Sequence, residues 1–128
     1  MLQGLLLVAM AMALTSGEAV LPLEVMDLGC WRDTDPDDGN RAIASMEGTD
    51  PSLDGEYWRR ENAFTKCWKL AETRGYEVFA LYNGGLCAGS PTALMGYESQ
   101  GTTNSCAADG KGGGWGNQVY RIVGTLLV

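Results

Sequence analysis

The sequence predicts an α+β fold: a small antiparallel sheet with one main helix packed on it, rich in loops and stapled by two disulfides. Three observations predict it. Ala63, Phe64, Cys67, Trp68, Leu70 and Ala71 recur at spacings of one, three and four, which places them on one face of a helix. Tyr76–Tyr82 (YEVFALY) follows, aromatic and aliphatic on both faces and free of Pro and Gly, as in a central strand covered by that helix. Four cysteines in 128 residues form an even set, the signature of a disulfide framework in a small secreted chain.

Taken in order, the chain opens with the apolar run Leu5–Leu14, too short to span a bilayer and typical of a signal-peptide core. Small residues follow, with cleavage expected after Gly17 or Ala19, so residues 1–19 are assigned to a signal peptide and 20–128 to a single domain. Leu21–Leu28 then leads a first strand up to Trp31. Arg32–Gly39 (RDTDPDDG) is a turn by composition. Arg41–Met46 has Ala42, Ile43 and Met46 as the apolar points of a short strand, and Glu47–Gly55 is a polar loop.

The helix is expected to start near Glu56 or Tyr57, with Ser52 or Asp54 as cap. Arg59, Arg60, Lys66, Lys69 and Glu72 fall on its polar side, and Glu56 stands four residues before Arg60 as a helical ion pair. Gly75 is the natural stop, because it accepts φ > 0. After the strand, Asn83-Gly84-Gly85 forms a tight turn and Leu86-Cys87-Ala88 returns. Gly89–Ser105 reads as a polar loop with Tyr97 exposed, and Asp109–Asn117 as a glycine-rich loop around Trp115. Gln118–Val123 alternates as a last strand beside the first, and Thr125–Val128 is a candidate extension of it. Trp31 and Trp68 are assigned to the core.

Composition excludes several functions. The net charge of −7 disfavours nucleic acid and anionic membrane surfaces or polymers. No segment beyond the leader is long and apolar enough to span a membrane. There is no histidine and no CxxC pair, which removes the usual zinc sets and the usual general base. The four cysteines allow three pairings, and their spacing does not choose among them.

The blocks Gly29-Cys30-Trp31 with Asp33, Arg41-Ala42-Ile43, a helix bearing Cys67, Val78-Phe79-Ala80-Leu81 with Gly85-Leu86-Cys87, and a glycine-rich loop into Val119-Tyr120 follow in one order. That order resembles the WSC domain and related extracellular domains of marine invertebrates, from about Leu28 to Ile122. The family's usual cysteine set is larger. The resemblance implies a fold similar to the PAN/apple type, a secreted location and a carbohydrate-binding or extracellular recognition role. It also implies the pairing Cys67–Cys87 and Cys30–Cys106.

Candidate chemistry lies in the loops. Aromatic faces bind the apolar faces of sugars while amides and carboxylates bind hydroxyls, which singles out Trp115, Asn117, Tyr82, Asn83, Tyr97 and Asp33. For each, a core or turn role is the competing reading. Asp33, Asp35, Asp37 and Asp38 before Gly39 evoke a calcium loop, but the spacing fails that pattern and a solvated turn is the simpler reading. Tyr57-Trp58-Arg59-Arg60 has the composition of a protein-contact patch. The expectation is a non-catalytic module without cofactor or metal, whose partner is a glycan or, alternatively, an extracellular protein. A small secreted glycosidase is the third reading, since carboxylates are plentiful. The sequence leaves the oligomeric state open.

Overall fold

The computed structural model describes residues 20–21, 24–124 and 126–127. The expected signal peptide lies outside the described residues. The chain divides into two units, Met1–Glu24 with Val123–Val128, and Val25–Ile122. Described residues of the first include β1 (Val20–Leu21) and β6 (Leu126–Leu127), which pair antiparallel, so Leu126 and Leu127 form a separate strand; Thr125 and Val128 lie outside the described residues.

The second unit is built on a helix that ends as its sequence requires. Helix α1 (Ala63–Thr73) stops in a Schellman motif: the Gly75 amide donates to Glu72 O, the Tyr76 amide to Ala71 O, and Gly75 takes φ 76°. Its start differs from the expectation near Glu56. Two 3-10 turns, Pro51–Leu53 and Tyr57–Arg59, come first, and the side chain of Asp50, not Ser52 or Asp54, caps the earlier one. Asn62 in the left-handed region then opens α1.

The reason is Arg60. The expected polar side of the helix would leave it in water. Instead Arg60 has extended backbone and a side chain only 1% exposed. Its guanidinium grips Glu47 with two bonds of 2.8 and 2.6 Å and donates to Leu53 O. A continuous helix from Tyr57 would not permit that extended residue. Glu56 consequently pairs with Arg59, exposed and three residues on, rather than with Arg60; such surface pairs contribute little.

Four strands form an antiparallel sheet in the order β2-β5-β3-β4: β2 (Glu24–Arg32), β3 (Val78–Tyr82), β4 (Leu86–Gly89) and β5 (Gly116–Val123). Pairing of β3 with β4 sets Leu81 opposite Cys87, and pairing with β5 sets Phe79 opposite Tyr120 and Tyr82 opposite Asn117. Period-two alternation then sorts the side chains. Phe79, Leu81, Cys87 and Tyr120 face α1 with Cys67, Leu70 and Ala71. Val78, Ala80, Tyr82, Leu86, Ala88 and Val119 face the other way, where Ile43 and Ala93 cover them. On the helix side, Phe64 packs edge-on against Tyr120 (4.9 Å) and Phe79 (5.6 Å), geometries worth about 0.5–1.5 kcal/mol per pair beyond area burial. Trp31 and Trp68 are half-buried, each packed against one of these clusters.

Among the described residues, no long helix lies on the second face. Loops cover it, together with the short α2 (Ala93–Gly96), which lies inside the stretch expected to be loop. The expected strand Arg41–Met46 is reduced to a stitch along the edge of β4: Ser45 bridges Ala88, Met46 N donates to Cys87 O, and Gly89 N to Ala44 O. The sheet edge is thus occupied while Ile43 and Met46 bury on opposite faces.

The disulfides are Cys67–Cys87, joining α1 to β4, and Cys30–Cys106, joining β2 to the long loop; their Cα atoms lie 5.3 and 6.0 Å apart. Sequence separations of 20 and 76 correspond to about 3 and about 4.5 kcal/mol of unfolded-state restriction in the chain-entropy model.

The glycine-rich loop packs backbone on backbone. A Cβ on Gly113 would overlap Ser105 O, and one on Gly112 would overlap Leu81 O. Gly114, between them and Trp115, faces open space. Gly113→Ala is therefore expected to lower stability by at least about 1–3 kcal/mol, and Gly114→Ala to change it by less than about 0.5 kcal/mol. Urea unfolding checks both, and equal effects would contradict this packing.

Burial, with the carboxylates of Asp27 and Asp109 nearby, pushes the Tyr120 phenol up to about 12, and burial raises Tyr82 as well. A raised phenol favours the neutral form in the folded state, so its contribution is complete below the unfolded value near 10 and is lost as pH rises through about 12. Stability is expected to fall across that window, and Tyr120→Phe to make the fall shallower. An unchanged slope in urea unfolding against pH would exclude Tyr120 as its source.

Candidate functional site

Three loops meet at the β3–β4 turn. The turn residue Asn83 has φ 52°, a conformation asparagine tolerates. Its amide donates to Gly113 O of the glycine-rich loop, and its side chain donates to the Tyr57 hydroxyl at 3.0 Å. Gly84 N donates to Lys111 O. Gly85 lies against the backbone of Tyr57, where any Cβ would come within 2.6 Å of Tyr57 O. Asn83 therefore joins the Tyr57–Arg59 turn to the glycine-rich loop.

Two tryptophans are exposed in these loops. Trp115 is 52% exposed and Trp58 57%. Trp58 stands edge-on to Tyr57 at 4.9 Å. Trp115 occupies a two-residue turn closed by reciprocal bonds between Gly113 and Gly116, and its φ is 58°. A bulky residue there costs about 1–3 kcal/mol and persists only where its surroundings enforce it. Those surroundings are the Gly113–Gly116 bonds, the Asp33 amide donating to Trp115 O, and the Cys30–Cys106 sulfurs beside Gly116.

Three residues expected at the ligand lie beneath the loops instead. Asp33 is fully buried. One carboxylate oxygen accepts from Thr34 N and Ala42 N, the other from Ile43 N and Asn117 Nδ2 (2.7 Å). Arg41, with a side chain 3% exposed, pairs with Asp33 at 3.3 Å, donates to Thr34 O and Ile43 O, and lies 4.5 Å from the centre of the Tyr82 ring. Asn117 is fully buried and Tyr82 nearly so. Their register opposite one another across β3 and β5 explains why they cluster. These residues support the site and do not face solvent. Tyr97, expected to be exposed, is half-buried and edge-on to Trp31 at 5.3 Å.

Asp35 and Asp37 are exposed while Asp33 points inward, so the three do not converge. Among the described residues, no group of three His, Cys, Asp or Glu is arranged to hold a metal. A shallow depression lies between the Pro51–Leu53 turn and α1, lined by Asp50, Ser52, Lys66 and Lys69 among others; no candidate ligand residue contributes to it. The β3–β4 turn is thus bonded to two loops that each expose a tryptophan, and aromatic faces of this kind can hold flat or ring-shaped groups.

Arg41 was not singled out by sequence reasoning. Its only signal was its place in the Arg41-Ala42-Ile43 block. Asp33→Ala would leave that guanidinium unpaired and three backbone amides, of Thr34, Ala42 and Ile43, without their acceptor. It is expected to lower stability by about 3–5 kcal/mol in urea unfolding, and a loss below about 1 kcal/mol would contradict the buried pair. Compared with family models, curated proteins and solved structures, the chain matches none of them.

Proposed function

We propose that this chain is a secreted, non-catalytic recognition module that binds carbohydrate, with Trp115 as its stacking platform. The observation that carries the reading is Trp115 itself: an exposed indole fixed in a left-handed turn between glycines. Backbone strain of this kind concentrates at binding sites. Sugars present an apolar face to an aromatic ring, and their hydroxyls take up hydrogen bonds from neighbouring amides, here Asn83.

Two disulfides are compatible with an extracellular setting, and among the described residues no helix is long and apolar enough to cross a membrane. The resemblance to WSC domains points the same way. A surface this open gives weak single-site affinity, so useful binding would come from repeated display on a polymer or a surface.

A second reading has its own observation. Exposed Trp58, with Tyr57 and Arg59, has the composition of a protein hot spot, and would serve an adhesive or matrix-associated module. The two readings separate by variant. On immobilised polysaccharides and a glycan array, Trp115→Ala is expected to weaken binding at least tenfold while Trp58→Ala leaves it within threefold. No binding of the parent protein at millimolar glycan would remove the carbohydrate reading. Trp115→Gly is expected to lose binding as well, yet to hold or raise stability by up to about 1 kcal/mol, because glycine relieves the left-handed strain.

A further inference from the structure

The two disulfides differ in their access to solvent and in what they hold. Cys67 and Cys87 are both fully buried between α1 and the sheet, with Cys67 Sγ 3.5 Å from Ala80 O. A reductant reaches them only if the helix leaves the sheet. Cys30 and Cys106 are only half-buried, at the junction of β2 and the long loop. Disulfide exchange requires a thiolate to reach one sulfur, so exposure decides which bond reacts first.

The half-buried bond sits against the turn that bears Trp115. A Cβ on Gly116 would lie 3.2 Å from Cys106 Sγ and 3.3 Å from Cys30 Sγ. Ser105, next to Cys106, packs its carbonyl onto Gly113 and its hydroxyl onto Gly116. Two backbone bonds also tie this loop to β2, Thr103 N to Cys30 O and Arg32 N to Gly101 O, which together make the bridge between Trp31 and Thr102. Strain at Trp115 lasts only while its surroundings enforce it, and Cys30–Cys106 supplies the covalent part of that enforcement.

We propose that Cys30–Cys106 is a redox-sensitive latch on the Trp115 turn, opened by a dithiol reductant while Cys67–Cys87 keeps the helix–sheet core closed. The thiolate of the dithiol attacks one of the two sulfurs, forms a mixed disulfide and expels the other cysteine as a thiolate. The second thiol of the reductant then closes onto its own partner sulfur and releases the remaining cysteine. The reductant loses two electrons and becomes a cyclic disulfide; its two protons pass to the two protein thiols. A small-molecule disulfide oxidant, itself reduced to thiols by the reverse exchange, re-forms Cys30–Cys106 and restores the turn. The functional consequence, ligand binding switched off on reduction, rests on the carbohydrate reading above; the order of reduction does not.

The test is a dithiothreitol titration of the purified, oxidised chain, quenched by alkylation and mapped by mass spectrometry, with far-ultraviolet circular dichroism and tryptophan fluorescence recorded in parallel. Cys30 and Cys106 are expected to be labelled at least tenfold faster than Cys67 and Cys87, with the helix signal retained and the fluorescence changed. In Trp115→Phe that fluorescence change is expected to shrink to the part contributed by Trp31, next to Cys30. Simultaneous labelling of all four cysteines, or earlier labelling of Cys67 and Cys87, would overturn the latch. A fluorescence change of undiminished size in Trp115→Phe would overturn its link to the turn. Failure of the oxidised protein to bind glycan would remove the carbohydrate reading and leave the labelling result standing.

Discussion

A loop that covers a sheet brings its own amides and carbonyls into the interior, and each of them needs a partner. In this chain Asp33 and Arg41 meet that need. One face of the sheet has α1, whose backbone is already paired within the helix. The other face is covered largely by irregular chain, where Thr34, Ala42 and Ile43 carry amides toward a buried place. Asp33 accepts all three, and Arg41 returns donors to Thr34 O and Ile43 O. Asn117, reaching from β5, donates to the carboxylate and sits 3.4 Å from the guanidinium, which ties the covering loop to the sheet itself. Without this charge-assisted set the second face would have apolar side chains to bury and no means of burying the backbone that carries them.

The same arrangement recurs at the outer edge of β4, beside the Ala44–Met46 stitch. Glu47 accepts the Cys87 amide, which would otherwise point out of the sheet, and Arg60 holds Glu47 in place while also donating to Leu53 O. Two buried arginines therefore do in this small protein what additional secondary structure does in larger ones. Both are planar donors able to serve several carbonyls and a carboxylate at once, a geometry a lysine does not reproduce.

Local pattern was legible and long-range pairing was not. The helix face, the glycine stop at Gly75, the strand Val78–Tyr82 and the turn after it follow from spacing and backbone preference, which act between near neighbours. Arg60 looked like a surface residue because its type and its place in a helical period say so; the partner that buries it, Glu47, stands in what reads as a polar loop. Asp33 looked like a ligand residue for a similar reason. It is one of four aspartates in a turn, and nothing local distinguishes the one that faces inward. Its donor Asn117 lies 84 positions away. Trp115 was legible as a candidate because an aromatic ring in a glycine-rich loop can stack on a sugar face, but its left-handed backbone goes with the Gly113–Gly116 bonds and the bond from Asp33 N, which the sequence does not display.

The placement of Trp115 combines two properties that usually oppose each other. Exposed side chains on glycine-rich loops are mobile, and ordering them on binding carries an entropic cost. Here the glycines serve contact rather than motion: Gly112, Gly113 and Gly116 each lie where a Cβ would collide with Leu81 O, Ser105 O or the Ser105 hydroxyl. The loop is glycine-rich because it is tightly packed, and the indole it presents is held by bonds on both sides of its own backbone. The backbone that carries the indole is therefore constrained by the fold itself, and the strain of about 1–3 kcal/mol at φ 58° is the amount the surrounding contacts must exceed to keep it so. A flexible loop would present the same aromatic surface without that strain, but it would lose part of each contact's free energy to immobilising the ring.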